Sequence, residues 1–523
     1  MPERPGVPVL MFNNDAEEPE RLGLNLLTFM KGNGYAPVVI ANGPGALAHY
    51  PAQGISALTI PDLIHHVAPP TRREIEEIGI DRCRAWSRFD RETGALPLYH
   101  TSLRVRLEAA TDPFVFGAAW AYKVYRHCYD WVRPRMVMAW NGLTTWARVL
   151  LAFGQDRGLP AYYVERGLIL DTLSFDPDGI NYSTSYAGEN WGLLDLPAPP
   201  PEAVEHLRAL MKTLGEGKQS FFGPTETPTP DELRAKLKLA PDQRVVLFIL
   251  QIESDSNVVF YSPIYKTMPE IIRALRDALR DRSEVSLLVK PHPVDHNRRA
   301  ELEPLADDRC RFAWNENLYA LFAISDVVVC INSTAGLEAR MQNLPVVVLG
   351  GAAYSEKGFT YDLKKAAELR PLLWQALDHS PPGDAKLANF LFQYLTRFTF
   401  SMDPSDPWGS RRSWLARWRE ADSRDQGAAG EAPGFPEPLA KLQKLFAATD
   451  GDSSLPNLLI GVGPEQERNA RSVAGLTPAR LTKKNFWYAW FRIMFSRYRV
   501  ALLPAWLPTW CSRLVRAEMI ARY

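Results

Sequence analysis

Short continuous apolar runs alternate along this chain with longer stretches whose apolar residues recur at helical spacing. "VPVLMFN" (7–13) predicts a strand, "EEPERLGLNLLTFMKGNG" (17–34) a helix with a glycine stop, and "APVVIANG" (36–43) the next strand. Strand, helix, strand at this spacing implies a parallel sheet with a crossover helix. A helical stretch rich in aromatics covers about 73–132. "RMVMAWNG" (135–142), "LTTWARVLLAFGQDRG" and "PAYYVERG" (160–167) then read as strand, helix and strand. Residues 217–235 are rich in Pro, Thr and Gly and read as a linker.

A second alternating block follows. Strands are predicted over 244–251, 285–290, 326–331 and 345–350, with helices over 268–281 and 318–325 and through "AGLEARMQN". These strands are unbroken apolar runs, as expected where both sheet faces are covered. Residues 384–420 read as helical and 421–437 as a loose loop. The fold class is therefore α/β, with two Rossmann-type doubly wound domains facing a cleft and a helical C-terminal extension. The expected division is 1–216 for the first domain, 217–240 for the linker and 241–380 for the second domain. A helical segment (381–420), a loop (421–440) and a helical aromatic and Arg-rich tail (441–523) complete it.

Composition changes this picture little. A chain of 523 residues exceeds one ordinary core. Lys+Arg and Asp+Glu balance at 60 each, so net charge gives no argument for nucleic-acid binding. The five cysteines form no CxxC pair, which favours a reducing compartment over a disulfide framework. The N-terminus shows no apolar signal-peptide core. No stretch reaches the roughly 18 uncharged apolar residues of a spanning helix. A cytoplasmic protein is expected, with peripheral contact to a membrane from that side as an option.

Ligands of doubly wound sheets bind beyond the carboxyl ends of the strands. Four such ends carry polar or glycine-rich chemistry. "QIESDSN" supplies Gln251, Asp255 and Asn257. "KPHP" supplies Lys290 and His292, the latter held between two prolines. "NSTAGLEA" supplies Asn332, Ser333 and Thr334, with Glu338 one turn into the helix. "GGAAYSEKG" supplies Tyr354. Ser333 and Thr334 open a helix whose free N–H groups and dipole favour an anion; an ordinary Ser/Thr N-cap is the plainer alternative. Lys290 and His292 add donors beside that point. Glu338 either accepts ribose hydroxyls or is a solvated surface residue. In the first domain Glu165 ends a strand, with Asp255 as its competitor for the role of base. Asp176 to Asn181 follow, and "DPDG" is a turn signal. Together these residues suit an anionic, nucleotide-like ligand.

With its motifs in that order over roughly 135–365, the chain resembles the capsular-polysaccharide Kdo transferases. "ERGLILDTLSFDPDGIN", "LQIESDSN", "KPHP" and "NSTAGLEARMQNLPVVVLGGAAYSEKGFTYD" carry the resemblance. It implies a GT-B architecture with the acceptor on the first domain and a nucleotide sugar on the second. It implies Kdo transfer from CMP-Kdo, with retention, to a lipid-linked acceptor at the inner face of the inner membrane. The CMP-sugar is a substrate, so no cofactor is expected, and no DxD motif is placed for a metal. By position, Lys290, His292, Ser333, Thr334 and Glu338 match the nucleotide-binding motifs, and Gln251 and Asp255 the motif facing the cleft. The expected catalytic set is Glu165, Asp255 and His292; Asn332 joins the phosphate site, and Gln251, Asn257, Asn181 and Tyr354 line the cleft. One departure stands out. The family commonly has two acids before the glycine, where this chain has Glu165-Arg166-Gly167. A transferase or epimerase using a UDP-type sugar, or a non-catalytic scaffold in capsule assembly, are the competing readings. Over 484–523 arginines alternate with Trp and Phe, as suits an interfacial helix or a helix packed back on the core.

Overall fold

A computed structural model describes residues 6–13, 17–41, 50–60, 63–64, 67–93, 112–189, 198–217, 228–292 and 298–425. The aromatic tail over 484–523 and the loop over 426–440 lie outside them. Among the described residues no helix is long and apolar enough to cross a membrane.

The predicted apolar runs become strands that are buried on both faces. In the first domain these are β1 (Val7–Asn13), β2 (Tyr35–Ala41), β3 (Ser56–Thr59), β4 (Met136–Trp140), β5 (Ala161–Arg166) and β6 (Thr172–Asp176). Alternate residues of β1 serve different cores. Leu10 and Phe12 pack with the helix Pro113–Val132 on one face. Val9 and Met11 pack with the helix Glu17–Gly32 on the other. The second domain is built on β7 (Arg244–Ile249), β8 (Val285–Lys290), β9 (Cys310–Phe312), β10 (Val327–Cys330), β11 (Val346–Val348) and β12 (Tyr361–Asp362). These pair in the order β12-β11-β10-β7-β8-β9, every pair parallel. The expected pair of doubly wound domains is therefore present.

The segment 381–420 differs from expectation. It is not a separate helical unit, because β13 (Thr399–Ser401) leaves the helix Asp384–Arg397 and pairs antiparallel with β6. The first sheet thus runs β13-β6-β5-β4-β1-β2-β3. The helix Ser410–Asp425 then returns to the first domain and buries Trp414 and Trp418 there. The stretch read as a linker also ends in structure. Thr229 and Glu232 form a capping box that starts the helix Pro230–Lys236, the reciprocal bonding expected of T-x-x-E. The expected long helix near 73–132 is broken into Arg72–Ile78, Ile80–Trp86 and Arg88–Thr93 before Pro113–Val132.

Candidate functional site in the interdomain cleft

Each sheet reverses its strand order at one place: β1/β4 in the first domain and β7/β10 in the second. Connections leave these strands toward opposite faces and open a crevice at their carboxyl ends. The predicted residues gather at the β7/β10 crevice. Gln251 Nε2 donates to Asn332 Oδ1 (2.8 Å), and the Asn332 backbone N–H donates to Gln251 Oε1 (3.0 Å). Asn332 Nδ2 donates to the Asn257 carbonyl (2.9 Å). The side chains of Gln251 and Asn332 and the main chain of Asn257 therefore fasten two strand ends together.

The lock presents the helix Thr334–Met341. Its N-cap is Ser333, whose Oγ accepts the Ala335 N–H at 3.3 Å. Ser333 is half-buried and Thr334 exposed. Tyr354, expected in the cleft, is fully buried instead; its Oη donates to the Ser333 carbonyl at 2.5 Å. It braces the cap from beneath because a phenol in this apolar core must find an acceptor. Gly336 makes room for that brace: a Cβ there would lie 2.3 Å from Tyr354 Oη and 2.6 Å from Cys330 Sγ. Gly336→Ala should therefore cost about 1–3 kcal/mol through overpacking, read as a lower denaturation midpoint; an unchanged midpoint would show that the helix can shift away.

Glu338 is not a solvated surface residue. It is buried, and Oε2 accepts the Tyr319 hydroxyl at 2.9 Å. Lys290 ends β8 beside β7 and donates through Nζ to the Trp314 carbonyl at 3.1 Å. Burial holds its ammonium below the ordinary lysine range, and Glu316 works against that shift. His292 follows, half-buried, beyond Pro291.

Across the cleft, Glu165 is the penultimate residue of β5. Its Oε2 accepts from Asn141 Nδ2 at 2.7 Å and its Oε1 from the Arg166 N–H at 2.9 Å. Burial pushes its carboxyl above the ordinary range, the two donors oppose this, and Asp255 of the other domain adds to the rise. Asp255 therefore lies within electrostatic reach of Glu165 across the cleft. They are not equivalent, because Asp255 Oδ1 caps the helix Ser256–Tyr261 by accepting the Asn257 N–H at 2.7 Å.

Asp176 resolves as a turn former. Its buried carboxylate accepts from the N–H groups of Asp178, Gly179 and Ser185 and from Ser185 Oγ. Asn181 has φ 55° and opens a short 3-10 turn. That turn carries an interdomain seam absent from the sequence reading. Tyr182 Oη donates to Glu356 Oε2 at 2.6 Å, Ser183 and Tyr261 share a hydroxyl hydrogen bond, and Lys357 Nζ donates to the Gly188 carbonyl. Gly351 is the readable signal, since a Cβ there would lie 2.6 Å from the Tyr182 ring.

The two domains treat anions differently. In the first, the helix Thr145–Asp156 has its N-terminus filled from within: Asp90 Oδ2 accepts the Thr145 N–H at 3.0 Å and its hydroxyl. In the second, the helix behind Ser333 meets solvent at Thr334. A cavity of about 380 Å³ also opens at the opposite ends of β8 and β9, lined by Arg273, Arg276 and Arg309 among others. Arg276 pairs there with Asp307, and Arg309 donates to the carbonyls of Leu279 and Arg282. Those cations close a helix end, so the strand-end crevice is the better candidate. Among the described residues no group of three His, Cys, Asp or Glu stands ready for a metal ion.

Fold and site together define a two-domain α/β protein with an anion-ready crevice in one domain and a carboxylate facing it from the other. Residues 227–379 match the family of capsule polysaccharide biosynthesis proteins, which bears out the resemblance. The chain is 31% identical over 130 residues to the capsule polysaccharide export protein KpsS of Escherichia coli, covering 23% of this chain and 33% of that protein. It thus spans a third of that relative's length. Protein FixF of Sinorhizobium fredii is 26% identical over 307 residues, covering 57% of this chain and 68% of that protein. Among solved structures, the KpsC beta Kdo 2,7 transferase of Thermosulfurimonas dismutans aligns with 17% identity and a TM-score of 0.36, over 57% of this chain and 88% of that one.

Proposed function

We propose that this protein is a glycosyltransferase of capsular or surface polysaccharide biosynthesis, transferring Kdo from CMP-Kdo with retention to a lipid-linked acceptor. The work is assigned to the cytoplasmic face of the inner membrane, with residues 484–523 as the segment that meets lipid. The single observation behind the reading is a coincidence of place. The stretch matching the capsule family, 227–379, is the one whose strand ends carry Lys290, His292 and the open helix at Ser333. In this reading the donor phosphate sits at the first turn of that helix, where N–H groups and dipole stabilise the charge developing on the leaving group. Lys290 adds a cation, and His292 a donor on a restricted backbone. Glu165 faces the acceptor side as base, with Asp255 setting the field around it.

Calorimetric titration with CMP, UDP and ADP tests the donor class. Selective CMP binding is expected, and Lys290→Ala should weaken it about 10- to 100-fold, the size of a lost hydrogen bond to a charged group. A preference for UDP would remove Kdo from the proposal. No nucleotide binding would leave a scaffold, in which the Gln251–Asn332 lock and the Asp255 cap serve architecture alone.

A further inference from the structure

The first sheet has its own switch point, and an asparagine stands at each strand end there. Asn13 closes β1 and is spent inside the core, donating to Tyr50 Oη at 2.6 Å. Asn141 follows β4 and is only partly buried. Its backbone is left-handed at φ 63°, and Gly142 continues so at φ 70°. Glycine is needed at 142 because a Cβ would enter the Tyr163 ring. Asn141 is not held by the turn alone. Its main-chain N–H donates to the Val164 carbonyl at 2.7 Å, and its side chain donates to Glu165, the next residue of that strand, at 2.7 Å. Main chain and side chain therefore both index the β4 turn on the end of β5.

Two requirements meet at this position. A left-handed backbone is tolerated by Gly, Asn and Asp and by little else. Glycine would supply the turn without a donor, and aspartate would set a second carboxylate against Glu165. Asparagine satisfies both demands. We infer that Asn141 is the positioning residue for Glu165, fixing the rotamer of its carboxylate and favouring the ionised form. This rests on the reading of Glu165 as the base of the proposed transferase. Each Glu165 oxygen accepts one hydrogen bond and keeps a second acceptor direction for a substrate hydroxyl. The charged groups that face it are Arg166 on its own strand and Asp255 from the other domain. The β4 side contributes the neutral amide of Asn141, so loss of that amide leaves burial and Asp255 less opposed.

Asn141→Gly isolates the side chain, because glycine keeps the left-handed turn at no steric cost. The Glu165 titration is followed by carbon NMR of protein labelled at the glutamate carboxyl carbon and assigned with Glu165→Gln. CMP binding, unfolding and the transfer rate against pH are measured on the same samples. We expect the Glu165 midpoint to move up and the acid limb of transfer to move with it. The rate at a fixed pH below the limb should fall about tenfold per pH unit of displacement, with CMP affinity unchanged and the unfolding midpoint lowered above the Glu165 titration, where the carboxylate has lost a donor. Asn141→Asp should move the midpoint further in the same direction by like-charge repulsion. An unmoved Glu165 midpoint in Asn141→Gly overturns the inference, whatever happens to the rate. A moved midpoint in a protein that transfers no sugar would uphold Asn141 as the positioning residue and overturn the transferase reading instead.

Discussion

Glu165→Gln is expected to lower sugar transfer by about 10²- to 10⁴-fold, the range that a positioned general base supplies, while CMP binds as before. The separation follows from the geometry. Glu165 lies near the end of β5 in the first domain, and the anion-ready helix belongs to the second. Glutamine keeps the shape, and Asn141 can turn its carboxamide over to offer an acceptor where it offered a donor. The same change should raise stability at neutral pH. Burial holds the native carboxyl above its ordinary value near 4.5, so the native state keeps its proton to higher pH than the unfolded chain. Wherever the native state binds more protons, stability falls as pH rises. The cost of ionising Glu165 therefore grows as pH climbs through that window and is absent below it. Glutamine carries no such cost. Denaturation of the two proteins from about pH 4 to about pH 8, a range that spans the titration of a raised carboxyl, should show the variant gaining on the parent as pH rises. Retained transfer would move the base to Asp255, and a variant less stable at every pH would make Glu165 a structural residue.

The rule that ligands sit at strand ends carried the sequence reading a long way. Lys290, Ser333 and Glu165 each follow an apolar run long enough to recognise, and those runs are β8, β10 and β5. What the pattern hid has physical causes. β9 and β12 have three and two residues, too short for a period to register. β13 is specified by its partner β6, more than two hundred residues away, and nothing local marks "TFS" as a strand. Tyr354 sits in a glycine-rich stretch that looks like surface loop, yet its ring fills the space that Gly336 leaves. Glu338 has the spacing of a helix-surface acid, and only the packing of Tyr319 shows that it is inside. The Asn-Gly pair after β4 is a turn signal, yet the apolar run before it extends the predicted strand to 142. The hydrogen bond from Asn141 to Glu165 needs the neighbouring strand to be known.

Trp418→Ala should destabilise the protein by about 3–5 kcal/mol, the range for deleting a fully buried aromatic. Trp418 lies on the helix Ser410–Asp425, far along the chain from the core that it fills. Its ring meets Tyr35 at 5.8 Å and Phe175 at 6.1 Å, and Trp414 beside it meets Phe175 at 4.8 Å and Tyr162 at 5.4 Å. These partners belong to β2, β6 and β5, so the helix is a structural part of the first domain. Neither indole N–H has a hydrogen-bond partner among the described residues. The stabilisation therefore comes from apolar burial and ring contacts, and Trp418→Phe, which removes the unpartnered N–H and keeps an aromatic, should recover most of the loss. The consequence reaches the cleft through β13, which leads to this helix and hydrogen-bonds to β6, itself the partner of the strand that carries Glu165. Loss of the helix should loosen that edge before it affects β7 to β12. Amide exchange of Trp418→Ala should thus accelerate in β6 and β13 first, with CMP binding in the second domain retained. Uniform acceleration through both sheets would instead mean that the two domains unfold as one unit, and a loss below about 1 kcal/mol, the scale of an ordinary surface substitution, would mean that the helix contributes no core.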